Sequence, residues 1–437
     1  MSPILIAVLM LVLTIVLILL GVHIGITLLS TSVLGLWFIV GDFSISASLM
    51  GTGPFSATFD YALAVIPLFV VMGLFTHASG ASEDLYRAGF AWFGRLPGGL
   101  GIVTVMANAV FAAVTGVSIA SAAVFSRIAV PQMLRYGYGL RFSTGCVAGS
   151  SALGMLIPPS IMLLLYGVLA NQSVGALFIA GIVPGLVLAC VFSGGIVLMS
   201  YLSPGLLGNP VRPEKLRKKE MYRATIQASS IVALAVLILG GMYAGLFTPT
   251  EAGAIGTVGA VFIMIVKRRF RLQEMKTSLM DAGFTTASVF LLFIGAQMFG
   301  RMLAVSGLVA TLGQWVSALQ VHPKLIIVGM LLVFVLLGCF LDVLSILVIC
   351  IPIMLPVLDV LKVDLIWFGV LATLAIESGL VTPPFGMSVF VVKGALGDMV
   401  KVEDIILGSM PFLLMLFLTI AILLFTPSLA TWLPSLM

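Results

Sequence analysis

The stretch Gly149-Ser-Ser-Ala-Leu-Gly-Met-Leu-Ile-Pro-Pro-Ser160 lies inside an otherwise apolar run and limits what this chain can fold into. Pro158 and Pro159 each remove an N–H donor, and Gly149 and Gly154 loosen the turns before them. In hydrocarbon the carbonyls freed by such a break are costly unless something polar occupies them. The same device returns about half a chain later as Glu377-Ser-Gly-Leu-Val-Thr-Pro-Pro384. Two interrupted membrane helices at matching positions of two halves point to a transport site between them. The pattern predicts a secondary transporter in which both breaks form walls of the ion and substrate sites.

Composition agrees with a polytopic membrane protein. Of 437 residues, 61% are hydrophobic and 8% charged, and mean hydropathy is +1.27; water-soluble domains carry about a quarter charged residues. Apolar runs long enough to cross ~30 Å of hydrocarbon recur throughout, so the spans are helical rather than barrel strands. Cys146, Cys190, Cys339 and Cys350 are scattered without metal-ligand spacing and read as small core residues. The first apolar run has no Lys or Arg before it and reads as a span, not a cleaved signal. The net charge of +5 does not indicate nucleic acid, because the basic residues sit in short loops between spans.

Spans are expected near residues 3–22, 25–41, 61–77, 143–169, 177–200, 225–245, 252–266, 281–300, 365–393 and 408–430. Two further apolar segments, near 99–131 and 324–358, are interrupted by Thr115-Gly-Val-Ser118 and Gly338-Cys-Phe-Leu-Asp342. Each could be two spans or a re-entrant hairpin. With both as hairpins and the loop 203–223 in the cytoplasm, 18 of the 21 basic residues, Lys215 among them, fall on the cytoplasmic side. Only Arg301, Lys324 and Lys362 remain outside. Positive-inside bias favours that arrangement.

The halves also echo one another. Ala78-Ser-Gly-Ala81 corresponds to Val305-Ser-Gly-Leu308, Pro158-Pro159 to Pro383-Pro384, and Ile182-Val-Pro184 to Ser409-Met-Pro411, at offsets of 227, 225 and 227 residues. With one hairpin opening to each side, the fold class is an all-α membrane protein: about ten spans plus two re-entrant hairpins in an inverted repeat. Segments 81–97 and 306–321, with Trp92 and Trp315, read as interfacial helices. The expected division is scaffold at 1–80, an arm at 81–98, and a mobile hairpin and broken helix at 99–169. Scaffold at 170–300 with the linker 203–223, a second arm at 301–323, a second mobile unit at 324–393 and a last scaffold span at 394–437 complete it. Polar breaks confined to two units suggest an elevator, in which the sites travel with their cage.

Hydroxyls and freed carbonyls are hard oxygen ligands, and a neutral cage suits a monovalent cation. One sodium site is expected to join Thr115 and Ser118 to Gly149, Ser150 and Gly154. Small residues at the first tip could equally serve close helix packing. Asp342 lies in an apolar run, where a carboxylate defaults to a functional reading, although it could also cap the following half-helix. A second sodium site would join Gly338 and Asp342 to Ser378, Gly379 and Thr382. Arg301, at the outer end of a span, could hold a substrate carboxylate bidentately or snorkel to the interface. Glu251 in Phe247-Thr-Pro-Thr-Glu251 reads as the third residue of a capped helix start, and Glu377 is open between ligand and cap. An intramembrane protease is disfavoured, since Asp342 lacks a second span aspartate and no Ser–His pair is placed to act.

Several stretches together resemble a known family: Tyr61-Ala-Leu-Ala-Val-Ile-Pro-Leu-Phe69, Gly98-Gly-Leu-Gly101, Ile128-Ala-Val-Pro131 to Gly137-Tyr138, Leu156-Ile-Pro-Pro-Ser160, Phe247-Thr-Pro-Thr-Glu-Ala252 and Leu380-Val-Thr-Pro-Pro-Phe-Gly386. They are similar to the large membrane subunit of tripartite ATP-independent periplasmic (TRAP) transporters. The resemblance implies sodium-driven uptake of an organic acid across the bacterial inner membrane, delivered by a periplasmic substrate-binding protein. It also implies a small four-span membrane subunit beside this one, Na+ as the coupling ion, no other cofactor, and an elevator movement of the hairpin units. The family's first hairpin usually reads Ser-Gly-Ser-Ser, where this chain has Thr115-Gly-Val117-Ser118; its common asparagine after the second Pro-Pro is Ser388 here. A stand-alone organic-anion symporter of the same broad architecture is the rival reading.

Overall fold

In the computed structural model the chain folds into helices joined by short loops, with residues 2–59, 61–214, 217–318 and 321–436 described. Lys215, and the end of the second interfacial segment at Leu319 and Gln320, fall outside them. The first half runs α1 (Pro3–Leu19), α2 (Ile24–Val40), α3 (Phe43–Thr58), α4 (Val65–Ala78) and α5 (Ala81–Phe93). Hairpin 1 follows as α6 (Gly99–Thr115) and α7 (Ser118–Arg135). The first broken helix is α8 (Leu140–Ser150), α9 (Leu153–Leu156) and α10 (Ile161–Leu169), and α11 (Val174–Leu202) closes the half. After the short α12 (Pro204–Leu207), the second half runs α13 (Lys218–Tyr243), α14 (Pro249–Val266), α15 (Leu272–Val305) and α16 (Leu308–Ala318). Hairpin 2 is α17 (Pro323–Gly338) and α18 (Val343–Val360); the second broken helix is α19 (Leu365–Val381) and α20 (Met387–Leu396). The long α21 (Val402–Phe425) and short α22 (Ser428–Thr431) end the chain.

Among the described residues six helices are long and apolar enough to cross a membrane, or up to eight if two bent pairs each count as one span. One bent pair is α4 and α5, which meet at 63°. That turn sends α5 away from the span axis, as an interfacial arm requires. The other is the first broken helix, bent by 43°.

Two elements depart from the sequence reading. The stretch after residue 41 forms α3, started by Asp42, whose carboxylate accepts from the Ser44 N–H at 2.7 Å. Its composition, rich in Ser and Gly with Pro54 inside, hides it from any search for apolar runs. The repeat offset explains it, because α3 and α4 together correspond to the single 34-residue α15. At 1.5 Å per residue α15 is about 51 Å long, well beyond the hydrocarbon. It therefore starts nine residues before the expected span, in turns that carry Glu274 and Lys276.

Packing follows the repeat. Helix α2 lies on α15 and α14 on α4, each the other's pseudo-symmetric partner. The hairpins are exchanged between halves: α7 packs on α20, and α18 on α10. Hairpin 1 returns to the face it started from. The Leu100 N–H donates to the Tyr138 hydroxyl at 3.4 Å, so the first turn of α6 and the chain after α7 meet. The linker seals that base through Gly139 N to Leu207 O at 2.8 Å and Val211 N to Tyr136 O at 2.8 Å. On the predicted cytoplasmic side Lys267 pairs with Asp84 at 2.7 Å and Arg269 with Glu83 at 3.7 Å, tying the end of α14 to the arm α5.

Glycines bring α8 and α21 into backbone contact. A Cβ added at Gly145 would lie 2.0 Å from the Gly408 carbonyl carbon, one at Gly408 1.8 Å from the Arg141 carbonyl oxygen, and one at Gly149 2.3 Å from the Phe412 Cβ. Gly145 and Gly149 are four apart, so both lie on one face and let the helices touch backbone to backbone, where van der Waals packing replaces the hydrophobic force that lipid cannot supply. Gly145→Ala should cost about 1–3 kcal/mol by overpacking. Gly194→Ala on α11, where nothing lies within 4 Å, should leave unfolding of the detergent-solubilised protein unchanged. Equal stability of the two variants would remove this contact from the account.

Candidate functional site

Each hairpin tip seats on a proline break. At tip 1, α6 ends at Gly116, whose φ of +67° suits glycine, and the extended Val117 leads into α7. A Cβ on Gly116 would lie 2.2 Å from the Pro159 carbonyl oxygen, and the Gly116 carbonyl accepts from the Ile161 N–H at 3.3 Å. Gly154 approaches from the other side, where a Cβ would lie 2.8 Å from the Ser118 Cα. Ser160 starts α10: its hydroxyl accepts from the Leu163 N–H at 3.1 Å and donates to the Met155 carbonyl.

Tip 2 repeats the arrangement with different chemistry. Gly338 and Gly379 meet backbone to backbone, a Cβ on either falling 2.6–2.7 Å from the other's Cα. Phe340 of the tip and Phe385 of the break pack with ring centroids 5.8 Å apart. Both breaks contain a cis peptide, Pro158-Pro159 and Pro383-Pro384. At each crossing the carbonyl ends of some helices and the N–H ends of others converge, giving a place where cations and anions both find backbone dipoles.

Asp342 is the cap of α18. Its Oδ2 accepts from the N–H groups of Leu344 at 3.1 Å and Ser345 at 3.3 Å, and the Ser345 hydroxyl donates to Oδ1. It remains partly exposed and lines a cleft of about 510 Å³ together with Met387 of α20, His23, and Ser288 of α15. A second cleft, of about 320 Å³, touches Thr115 and Val117 at tip 1, His77 of α4, and Asp281 and Thr285 of α15. Helix α15 therefore faces both tips.

The expected site residues divide. Thr115, Ser118 and Gly154 come together at tip 1, and Gly338, Asp342, Ser378, Gly379 and Thr382 lie on the elements that meet at tip 2. The hydroxyls of Thr115, Ser378 and Thr382 donate to Phe111, Leu374 and Ser378 carbonyls at 2.7–2.9 Å, which leaves their oxygen lone pairs available to a cation. Gly149 and Ser150 are directed elsewhere. Gly149 packs on Phe412, while the Ser150 hydroxyl donates to the Cys146 carbonyl at 2.6 Å and accepts from the Asn108 amide at 2.7 Å, joining α8 to α6. A helix presents residues 149 and 154 to different sides, and only the latter faces the tip. Arg301 is exposed on α15, next to Gly300, whose Cβ would lie 3.5 Å from Pro352 of α18.

The two glutamates resolve differently. Glu251 forms a reciprocal capping box with Thr248: the Thr248 N–H donates to Oε2 at 2.8 Å and the Glu251 N–H to the Thr248 hydroxyl at 3.3 Å. Glu377 is not a cap, because it lies inside α19, four residues before its end, and is fully buried. Its Oε1 accepts from the Ser118 hydroxyl at 2.9 Å, linking the second broken helix to the tip of hairpin 1. No sequence signal joins two residues 259 positions apart; the matched breaks alone bring their neighbourhoods together.

The family model described as Tripartite ATP-independent periplasmic transporter, DctM component, matches residues 11–429. The C4-dicarboxylate TRAP transporter large permease protein DctM of Pseudomonas aeruginosa is 32% identical over 382 residues, covering 87% of this chain and 88% of that protein. The isethionate TRAP transporter permease protein DctMQ of Oleidesulfovibrio alaskensis is 30% identical over 380 residues, covering 86% of this chain and 58% of that longer protein. Among solved structures, MtrF of Neisseria gonorrhoeae, described within a class of antimetabolite efflux pumps, superposes with a TM-score of 0.62 at 11% identity, covering 97% of this chain and 95% of that one.

Proposed function

From the premise that this chain belongs to the DctM component family of tripartite ATP-independent periplasmic transporters, we propose that it imports an organic acid with sodium as the coupling ion. It is a multi-pass membrane transporter subunit and not an enzyme. In this reading it resides in the bacterial inner membrane, receives its substrate from a periplasmic binding protein, and works beside a small four-span membrane subunit. The DctMQ relative, longer than this chain, is consistent with such a partner carried in one polypeptide.

The observation that carries the reading is the seating of each hairpin tip on a proline break, with oxygen-bearing side chains gathered at both crossings. Thr115, Ser118 and Gly154 would hold sodium at the first; Gly338, Asp342, Ser378, Gly379 and Thr382 would hold it at the second. Gly149 and Ser150 are left to helix packing. Arg301 would bind the substrate carboxylate. The mobile unit in this reading reaches beyond the two hairpins and broken helices: α11 lies on α6, α9 and α19, and α21 on α8, α19 and α20, so both would travel with the hairpins.

In proteoliposomes holding the chain with its small subunit, uptake of a labelled dicarboxylate should need the binding protein and an inward sodium gradient, and should persist without ATP. Uptake driven equally well with potassium replacing sodium would refute the coupling. Arg301→Lys keeps the charge but loses the planar fork, so substrate affinity should fall by about 1–3 kcal/mol. Unchanged affinity in both Arg301→Lys and Arg301→Gln would take Arg301 out of the site.

A further inference from the structure

Glu377 is buried to 0% exposure, and only one of its carboxyl oxygens is accounted for. Oε1 accepts from Ser118; Oε2 has no hydrogen-bond partner. Among the described residues no salt bridge reaches it. Two further hydroxyls on neighbouring elements are in the same condition. Ser121 lies one turn beyond Ser118 on the same face of α7, and Ser388 lies in the first turn of α20, which packs along α7. Both are fully buried, and neither Oγ has a partner. Orphaned polar atoms are rare inside proteins, and three on adjoining elements call for a common cause.

A carboxyl group at this depth must be neutralised. A proton on Oε2 would neutralise the charge but leave the orphaned hydroxyls of Ser121 and Ser388 without a cause. A sodium ion instead takes carboxylate and hydroxyl oxygens as ligands, matches one negative charge with one positive, and draws on the orphaned atoms already present. We propose that Glu377, with the hydroxyl of Ser118 and the orphaned hydroxyls of Ser121 and Ser388 on the adjoining helices, forms a sodium site that joins the two halves of the chain. It rests on the sodium-coupled reading above and adds an ion to those at the two tips, sharing Ser118 with the first cage. Because α7 belongs to one repeat and α19 to the other, an ion there fastens hairpin 1 to the second broken helix.

The test measures sodium itself, as 22Na+ bound per purified full-length chain and as the rise in melting temperature when sodium chloride replaces choline chloride. Glu377→Gln should bind one sodium fewer than wild type and show a smaller sodium-induced rise, with stability in choline kept. Glu377→Asp draws the charge back by one methylene and should keep the number of ions while weakening apparent affinity roughly tenfold or more, so it serves if the Gln variant does not assemble. Full sodium stoichiometry and affinity in both variants would overturn the proposal. So would a wild-type stabilisation that follows pH and not sodium and disappears in Glu377→Gln, which would assign the site to a proton. Wild-type protein that binds no sodium at all would mean instead that the sodium-coupled reading fails.

Discussion

Asp342→Ala is expected to abolish sodium-driven uptake, by a hundredfold or more, while the protein still inserts and folds. The size of that loss separates two roles that the structure superimposes on one carboxylate. As a cap, Asp342 satisfies two N–H groups at the start of α18, and losing such a cap costs about 0.5–2 kcal/mol of stability. That is a perturbation a large membrane protein survives. As a cation ligand, its charge is the largest favourable term in a cage otherwise made of neutral oxygens, and a hundredfold effect corresponds to about 2.7 kcal/mol at the site itself. Asp342→Asn discriminates, since asparagine caps a helix as well as aspartate does but carries no charge. Uptake in Asp342→Asn should be lost as fully as in Asp342→Ala. Near-normal uptake in the asparagine variant would reduce Asp342 to a cap.

What the sequence disclosed follows from what kind of signal each feature leaves. Proline pairs in apolar runs announce a break whatever surrounds them, so both broken helices are legible, and their offset of 225 residues, close to that of the other matched motifs, pairs them. Thr248-Pro-Thr-Glu251 announces a helix start because both reciprocal contacts of a capping box are local. Contacts between distant segments leave no such trace. Glu377 reads from sequence as a residue near a break, and only the fold shows it inside α19 against Ser118. Gly149 and Ser150 lie close to Gly154 in sequence, but a helix turns successive residues to different neighbours, and theirs are Phe412 and Asn108. Helix α3 escapes a sequence reading for the opposite reason. Hydrophobicity finds spans, and α3 is too rich in small polar residues to look like one, although its repeat partner is half of α15.

In inward- and outward-facing states superposed on α2, α4, α14 and α15, the residues Ser118, Gly154, Asp342 and Thr382 should shift together along the membrane normal by at least one helical turn, ~5.4 Å, keeping their mutual distances. The packing says where the moving seam would run. Helices α8 and α21 touch through glycine backbones so closely that neither can slide past the other, and α11 and α19 are packed onto the same body. The frame helices α1, α2, α4, α5, α13, α14 and α15 instead pack largely on one another. Open space lies between the two groups: both clefts have a tip on one wall and α15 on the other. Carrying the cages whole keeps their half-satisfied backbone away from lipid, which a rearranging site would expose. A cross-link can test this division chemically. At Gly300 and Pro352 a Cβ–Cβ distance of 3.5 Å bridges α15 and α18 across the seam, within the range a disulfide accepts. Oxidised Gly300→Cys/Pro352→Cys should lose nearly all uptake and regain it on reduction. Arg141 and Asp404, an ion pair at 2.7 Å between α8 and α21, lie within the proposed mobile body. Cysteines there joined by a short bismaleimide should leave uptake intact. If the first cross-link is tolerated, or the second stops transport, the body that moves is not the one drawn here; if the four residues separate at constant depth, the halves rock and no elevator operates.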